Sequence, residues 1–400
     1  MKLRLLILDE EFPYPLNSGK RLRSFNLTRE LSQEHDVTYL AYGEHESEGA
    51  RGLREAGIAT EAVRAPDRKQ FGVRFYWRLL KNVFQSDPYI VASHYTRRMQ
   101  RRLRELVDSG NYDLVMVEWS PYARFIRHCP GAKKVIVAHN IESSIWRRYE
   151  QNERSLLRRL YVRLQRSKVE KFERDCFQWA DGAIAVSPAE AKTISDMGVP
   201  YRTAVVDNGV DTAFFRPADV GKDEQLVFTG AMDWRPNQDA AEFFIDEILP
   251  EIRKLRPDAH FTLVGRKPPR HIKELGSAPG VTVTGTVDDV RPYIRDAAVF
   301  VVPLRIGGGS RLKILEALAM KKAVVSTPVG AEGLDVNEGK DILLADSPQD
   351  FAATVVRCMN DANLRRRLGN NGRKLVEERY QWEKLAEKLN QYLTSILRAQ

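Results

Sequence analysis

The segment Gly307-Gly308-Gly309-Ser310-Arg311-Leu312-Lys313 opens a helical pattern that carries Glu316. Glycines let a backbone approach a phosphate, and the free N–H groups of a helix start supply hydrogen bonds and positive potential. Arg311 and Lys313 add full charges; a flexible turn capped by Ser310 fits the same residues. Glu316 reads either as an acceptor for vicinal ribose hydroxyls or as a solvated helix carboxylate. His139 alone among the seven histidines directly follows an apolar run. There it can donate to a ligand oxygen and offset developing charge, or bond the backbone as a core-edge histidine. Ser18-Gly19 before Lys20-Arg21 repeats the glycine device, and a helix cap explains it equally well. Glu118-Trp119 offers a carboxylate for a hydroxyl and an indole for a sugar face. A strand-end cap with a core Trp is the plainer reading, and Asp9 has the same standing.

Something must hold these residues, and the chain supplies it by alternation. Apolar, β-branched runs occur at Leu3–Leu8, Val37–Tyr42, Leu114–Val117, Val135–Ala138 and Ala183–Val186, then at Leu226–Thr229, Phe261–Val264, Val281–Thr284, Val299–Val302 and Ala323–Ser326. Helical patterns at Lys20–Leu31, Asp239–Leu255, Arg311–Met320, Phe351–Met359 and Gln381–Leu397 separate or follow them. Continuous apolar strands spaced by helices imply parallel strands buried on both faces. The expectation is α/β: two tandem Rossmann-like doubly wound domains facing a central cleft. Turn residues around 200–224 place the boundary, giving domains 1–205 and 206–380 and a terminal helix at 381–400. Open α/β sheets bind ligands beyond the carboxyl ends of their strands. At those ends stand Gly19, His139, Gly230 with Arg235, Gly265, and the glycine-rich segment.

Length and composition narrow the classes. A chain of 400 residues, 43% apolar and 29% charged, is sized for two globular domains. Three scattered cysteines, Cys129, Cys176 and Cys358, exclude a disulfide scaffold and a zinc ribbon and favour a cytoplasmic setting. The opening residues turn acidic too soon for a signal peptide. Of the net +9, residues 1–200 hold 34 basic and 26 acidic residues, so the excess belongs to the first half. Phe71–Phe84 interleaves aromatics with Arg74, Arg78 and Lys81, and Arg147–Arg174 is a long basic helical pattern. These suit an anionic inner-leaflet surface, or ordinary helices with solvated arginines. No helix-turn-helix, RRM or zinc-finger signature argues for nucleic acid.

In joint order these segments resemble the retaining GT-B glycosyltransferases of family 4. Asp207-Asn208-Gly209-Val210-Asp211 with Phe215-Arg216-Pro217 resembles the family's interdomain segment. Leu263-Val264-Gly265, Gly285-Thr286-Val287, Ala297–Pro303 and Leu315-Glu316-Ala317-Leu318-Ala319 followed by Val324–Thr327 resemble its donor-side loops. Gly19 and Ala138-His139-Asn140 match its first-domain positions. Two positions depart: the first glutamate of the family's usual pair falls on Gly308, and its Arg and Lys fall on Ala231 and Pro236. A branch involved in exopolysaccharide assembly has a similar GGG-x-RLK-x-LEA segment.

The resemblance implies sugar transfer, with retention, from a nucleotide-diphosphate-sugar to a saccharide or lipid-linked saccharide. It implies no metal, and no cofactor beyond the donor substrate. His139 and Arg311 would be catalytic. Gly19, Gly230, Arg235, Gly265, Thr286, Val287, Gly307, Gly308, Gly309, Ser310, Lys313 and Glu316 would hold the donor. A nucleotide-sugar epimerase of the same fold, or a non-catalytic nucleotide-sugar-binding protein, are the alternatives.

Overall fold

The computed structural model describes residues 2–66, 72–153, 155–217, 221–306 and 311–398, leaving aside the side chain of Asn152. The chain forms two compact units, Met1–Asp207 with Leu385–Gln400, and Asn208–Lys384.

The first unit holds β1 (Arg4–Asp9), β2 (Asp36–Tyr42), β3 (Ala59–Val63), β4 (Leu114–Val117), β5 (Lys133–Ala138), β6 (Gly182–Ala185) and β7 (Ala204–Val205). All pair in parallel, in the order β3-β2-β1-β4-β5-β6-β7. The apolar runs become central strands because parallel strands carry helices on both faces, and every residue of β4 and β6 is buried. The second unit holds β8 (Lys222–Thr229), β9 (His260–Val264), β10 (Val281–Gly285), β11 (Ala297–Val302), β12 (Ala323–Ser326) and β13 (Leu343–Leu344). Their order is β10-β9-β8-β11-β12-β13, again parallel. Its core runs from Val227 and Phe228 through Val299–Val302 to Phe244, whose ring centroid lies 4.4 Å from that of Phe261. In each sheet the winding reverses once, between β1 and β4 and between β8 and β11. At such a point the helices after the two strands diverge and leave a crevice at the carboxyl ends.

Three departures from the sequence pattern have physical causes. β3, β7 and β13 lack a continuous apolar run, being edge strands or of two residues. The helix expected over Asp239–Leu255 starts at Arg235 and passes through a π-turn, Phe244–Ile248, before Leu249–Leu255. Pro250 has no N–H and its ring crowds the carbonyl one turn earlier, so the ladder widens there. The Arg147–Arg174 pattern is two helices, Glu142–Asn152 and Leu156–Trp179. The polar run Gln151–Ser155 has no apolar side chain to bury, and the Glu153 carboxylate folds back to accept the Ser155 N–H at 2.8 Å. An antiparallel hairpin results, with Arg147 on Glu170 at 3.0 Å and Arg166 on Glu150 at 3.2 Å.

From Leu385 onward the last helix, Trp382–Arg398, belongs to the first unit. Leu385, Leu389, Leu393 and Ile396 are buried. The Tyr392 hydroxyl accepts the Ala183 N–H at 3.1 Å and donates to the Arg202 carbonyl at 3.0 Å.

Candidate active site

In the first unit a polar cluster gathers at the carboxyl ends of β1, β4 and β5. Ser18 caps helix Gly19–Glu34, so Gly19 begins it and Lys20 stands beside β1. The Lys20 ammonium lies 2.7 Å from Asp9 and 2.9 Å from Glu10. Burial pulls its pKa down, but the two carboxylates outweigh burial and keep it protonated. Tyr39 donates its hydroxyl to the other oxygen of Asp9 at 2.7 Å.

One turn on, Ser24 donates to Glu118 at 2.7 Å, and the same carboxylate oxygen lies 2.9 Å from His139 Nε2. Burial would push the Glu118 carboxyl up; the hydrogen bond and charge of His139, with Ser24 and Arg23, hold it down at about 2. An ionised Glu118 only accepts, so it fixes the proton of His139 on Nε2 and leaves Nδ1 for a ligand. Among the described residues no other hydrogen bond to that ring is made. Arg23 is buried as well; burial draws its pKa down to about 10 against the charges of Glu118, Asp207 and Glu190, and it donates to the Asp207 carbonyl at 2.5 Å.

Glu118 therefore faces inward as a support for His139, and the Trp119 indole N–H is taken by Glu142 at 2.7 Å. Burial pushes the Glu142 carboxyl up to about 7, with nearby Glu173 and Glu10 adding to it and the Trp119 N–H opposing. Glu173 in turn accepts the N–H groups of Glu142 and Ser143, at 2.8 and 2.9 Å, capping that helix. Sequence reasoning missed Arg23, Ser24, Tyr39 and Glu142; the one local signal was Glu142, placed three residues after His139 at a helix start.

In the second unit the ends of β8, β9 and β10 meet glycine to glycine. Gly230 donates to the Val264 carbonyl at 2.9 Å, and Gly265 to the Gly285 carbonyl at 3.3 Å. A Cβ on Gly265 would stand 1.9 Å from the Gly230 carbonyl oxygen, and one on Gly230 would stand 2.9 Å from Lys313 Nζ. No larger residue fits while these contacts hold. Lys313, on helix Leu312–Ala319, sets its ammonium 2.7 Å from Asn237 Oδ1 and 4.1 Å from the Phe228 ring centroid. Asn237, absent from the sequence reading, is oriented by donating to the Ala231 carbonyl at 2.8 Å. Burial draws Lys313 down to about 7, and burial pushes Glu316, one turn along the helix, up to about 7. Lys313 thus stands beside the strand-end glycines with its charged form disfavoured, and an anion placed there would favour that form again.

The remaining sites divide. Arg311 has a left-handed backbone with φ of 53°. Its side chain is 6% exposed, and the guanidinium lies 2.9 Å from the Val329 carbonyl and 3.2 Å from the Glu332 carboxylate. The structure thus shows it bracing the 329–332 turn. Arg235 is exposed at the first position of helix Arg235–Phe243 and makes no ion pair among the described residues. Thr286 Oγ1 lies 3.4 Å from the Lys267 N–H, and Val287 packs on the core. Gly307, Gly308, Gly309 and Ser310 lie outside the described residues. Among the described residues no helix is long and apolar enough to cross a membrane.

Residues 19–209 match the family described as "Glycosyl transferase 4-like domain", and residues 223–361 match "Glycosyl transferases group 1". The chain is a GT-B glycosyltransferase. Its fold matches that of the Anabaena protein HepE in complex with UDP, with a TM-score of 0.69 at 14% identity, covering 99% of this chain and 100% of that one. An uncharacterized 44.6 kDa protein in the cps region of Klebsiella pneumoniae is 21% identical over 409 residues, spanning 96% of the glycosyltransferase and 97% of its own length. The capsular polysaccharide biosynthesis glycosyltransferase CapM of Staphylococcus aureus is 31% identical over 121 residues, 29% of this chain and 32% of its own.

Proposed function

We propose that this glycosyltransferase takes a sugar from a nucleotide-diphosphate donor and passes it, with retention at the anomeric carbon, to a saccharide or lipid-linked saccharide in surface polysaccharide assembly. The observation that carries this is Lys313, a half-buried amine held between Asn237 and Phe228 against the Gly230 backbone, where an arriving anion would favour its charged form. A diphosphate leaving group gathers negative charge as the glycosidic bond breaks, and a preorganised cation stabilises it most at that moment. Arg235, exposed two residues before Asn237 at the start of the helix, adds a second positive charge. Glu316 accepts from the ribose hydroxyls. In the first unit His139, steadied by Glu118, serves the sugar. The departing phosphate takes the acceptor's proton on the face it leaves. Structures of HepE with UDP, and the polysaccharide setting of CapM, support this donor class and pathway type. The charge on the diphosphate is met by side chains, so chelation by EDTA should leave turnover unchanged.

The test is a hydrolysis and thermal-shift screen of UDP-, GDP- and ADP-sugars against wild type, Lys313→Ala, Glu316→Ala and His139→Ala. Lys313→Ala should weaken donor binding, whereas His139→Ala should lower turnover with binding kept. Donor affinity unaltered in Lys313→Ala would refute the assignment. Release of an epimerised nucleotide sugar without acceptor, or tight binding with no turnover on any acceptor, would replace transfer with one of the alternative activities.

A further inference from the structure

Two neighbouring parts of the first unit turn apolar side chains to solvent. Helix Val73–Val83 exposes Trp77 and Leu80, and Phe84, just past its end, is 86% exposed. The second part is the tip of the helical hairpin, where Leu156, Leu157 and Leu160 are exposed, Leu157 to 81%. Helix Glu142–Asn152 leaves from the carboxyl end of β5, and the Arg147–Glu170 and Arg166–Glu150 rungs set the turn at the far end. The returning helix has 24 residues, about 36 Å at ~1.5 Å each. It leads into β6, whose four residues span about 13 Å. The leucine tip thus stands well beyond the carboxyl edge of the sheet, the edge that carries His139. The two parts are tied together: Gln165 donates to Asn82 Oδ1 at 2.9 Å, and Lys168 Nζ caps the carbonyls of Asn82 and Val83 at 2.7 and 3.1 Å.

Charge identifies the occupant. From Val73 to Phe84 stand three cations and no acid; of the four arginines from Leu156 to Arg166, Arg163 and Arg166 pair with Glu150 across the hairpin, and Arg158 and Arg159, between the exposed leucines, make no ion pair among the described residues. Beside Phe84 opens a cavity of about 560 Å³ lined by five Lys or Arg and two Asp. Asp87 is engaged by Arg124, whereas Arg104, Arg127 and Lys171 have no ion pair among the described residues. A second copy of the chain docked through this face would set cations against cations. A neutral apolar partner would leave them uncompensated.

We propose that this face docks on an anionic lipid bilayer. The hairpin tip and helix Val73–Val83 set their apolar side chains among the acyl chains, the flanking arginines meet lipid phosphates, and the cavity seats one such phosphate. The docking is independent of the donor reading and places the acceptor edge of the first unit at the membrane surface.

The experiment is co-sedimentation of the full chain with phosphatidylcholine vesicles, with and without phosphatidylglycerol, over a salt series. Wild type should bind only the anionic vesicles, and more weakly as salt rises. Leu156→Ser/Leu157→Ser/Leu160→Ser should lower partitioning at least about tenfold. Arg104→Gln/Arg127→Gln/Lys171→Gln should lose about fivefold per cation near the surface. Both variants should keep the wild-type circular dichroism melt and donor hydrolysis. The proposal falls if wild type ignores anionic vesicles or binds neutral ones equally. It also falls if ultracentrifugation shows a dimer that the leucine variant disperses, since the face would then hold a second copy.

Discussion

Lys313 shows how one side chain can report its ligand through a proton. Burial holds its ammonium at about 7, below the ordinary lysine value of 10.5. For a depressed amine, the associated stability is complete above the ordinary value and lost as pH falls through the folded one. An anion reverses the preference, because it favours the charged form. Binding UDP at pH 8 should therefore take up about one proton, and affinity should weaken up to about tenfold per pH unit above 7. Glu316 titrates in the same window, so the steps belong to the pair. Titration calorimetry in buffers of different ionisation enthalpy measures the uptake; Lys313→Met should abolish it, and uptake persisting in that variant would remove Lys313 from the phosphate.

At the scale of elements, the strand ends of the second unit depend on glycines for closeness. A Cβ on Gly265 meets the Gly230 carbonyl at 1.9 Å, which is backbone and cannot swing aside. Gly265→Ala should cost about 1–3 kcal/mol by overpacking, seen as a lower urea midpoint. It should also weaken UDP binding, because the displaced Gly230 backbone is the surface on which Lys313 rests. The strands themselves were legible because β4, β11, most of β1 and the Leu226–Thr229 half of β8 are buried and read as apolar runs. The division into helices Glu142–Asn152 and Leu156–Trp179 was not, since arginines spaced for one helix suit two antiparallel helices equally well. Lys313 and Glu316 announced themselves through the glycines before them. Arg311 was legible as a charge, but its direction depends on the 329–332 turn, which is distant in the chain. Arg23, Tyr39 and Asn237 gave no signal because their partners lie on other elements, and only the folded sheet brings them together.

The whole molecule has an uneven continuity. The second unit is one stretch, Asn208–Lys384, while the first is completed by the chain's last residues, Leu385–Gln400. The closing helix contributes buried Leu385, Leu389, Leu393 and Ile396, and a Cβ on Gly182 would stand 2.5 Å from Ile396 Cδ1. Each such side chain contributes about 1.5–3 kcal/mol when buried, so the helix adds an amount comparable to the net stability of a domain. Its loss would also leave His35 without its Asn390 partner, 2.8 Å from Nε2, and the Ala183 N–H without the Tyr392 hydroxyl. Ending the chain at Lys384 removes these contacts from the first unit and none from within the second. Scanning calorimetry of the shortened chain should therefore show one transition moved down strongly or lost, and a second near its original temperature. UDP should still raise that second transition, because Lys313 and Asn237 lie in the continuous unit. If UDP instead shifts only the transition that truncation lowers, the donor belongs to the first unit, and the assignment of Lys313 to the diphosphate is overturned.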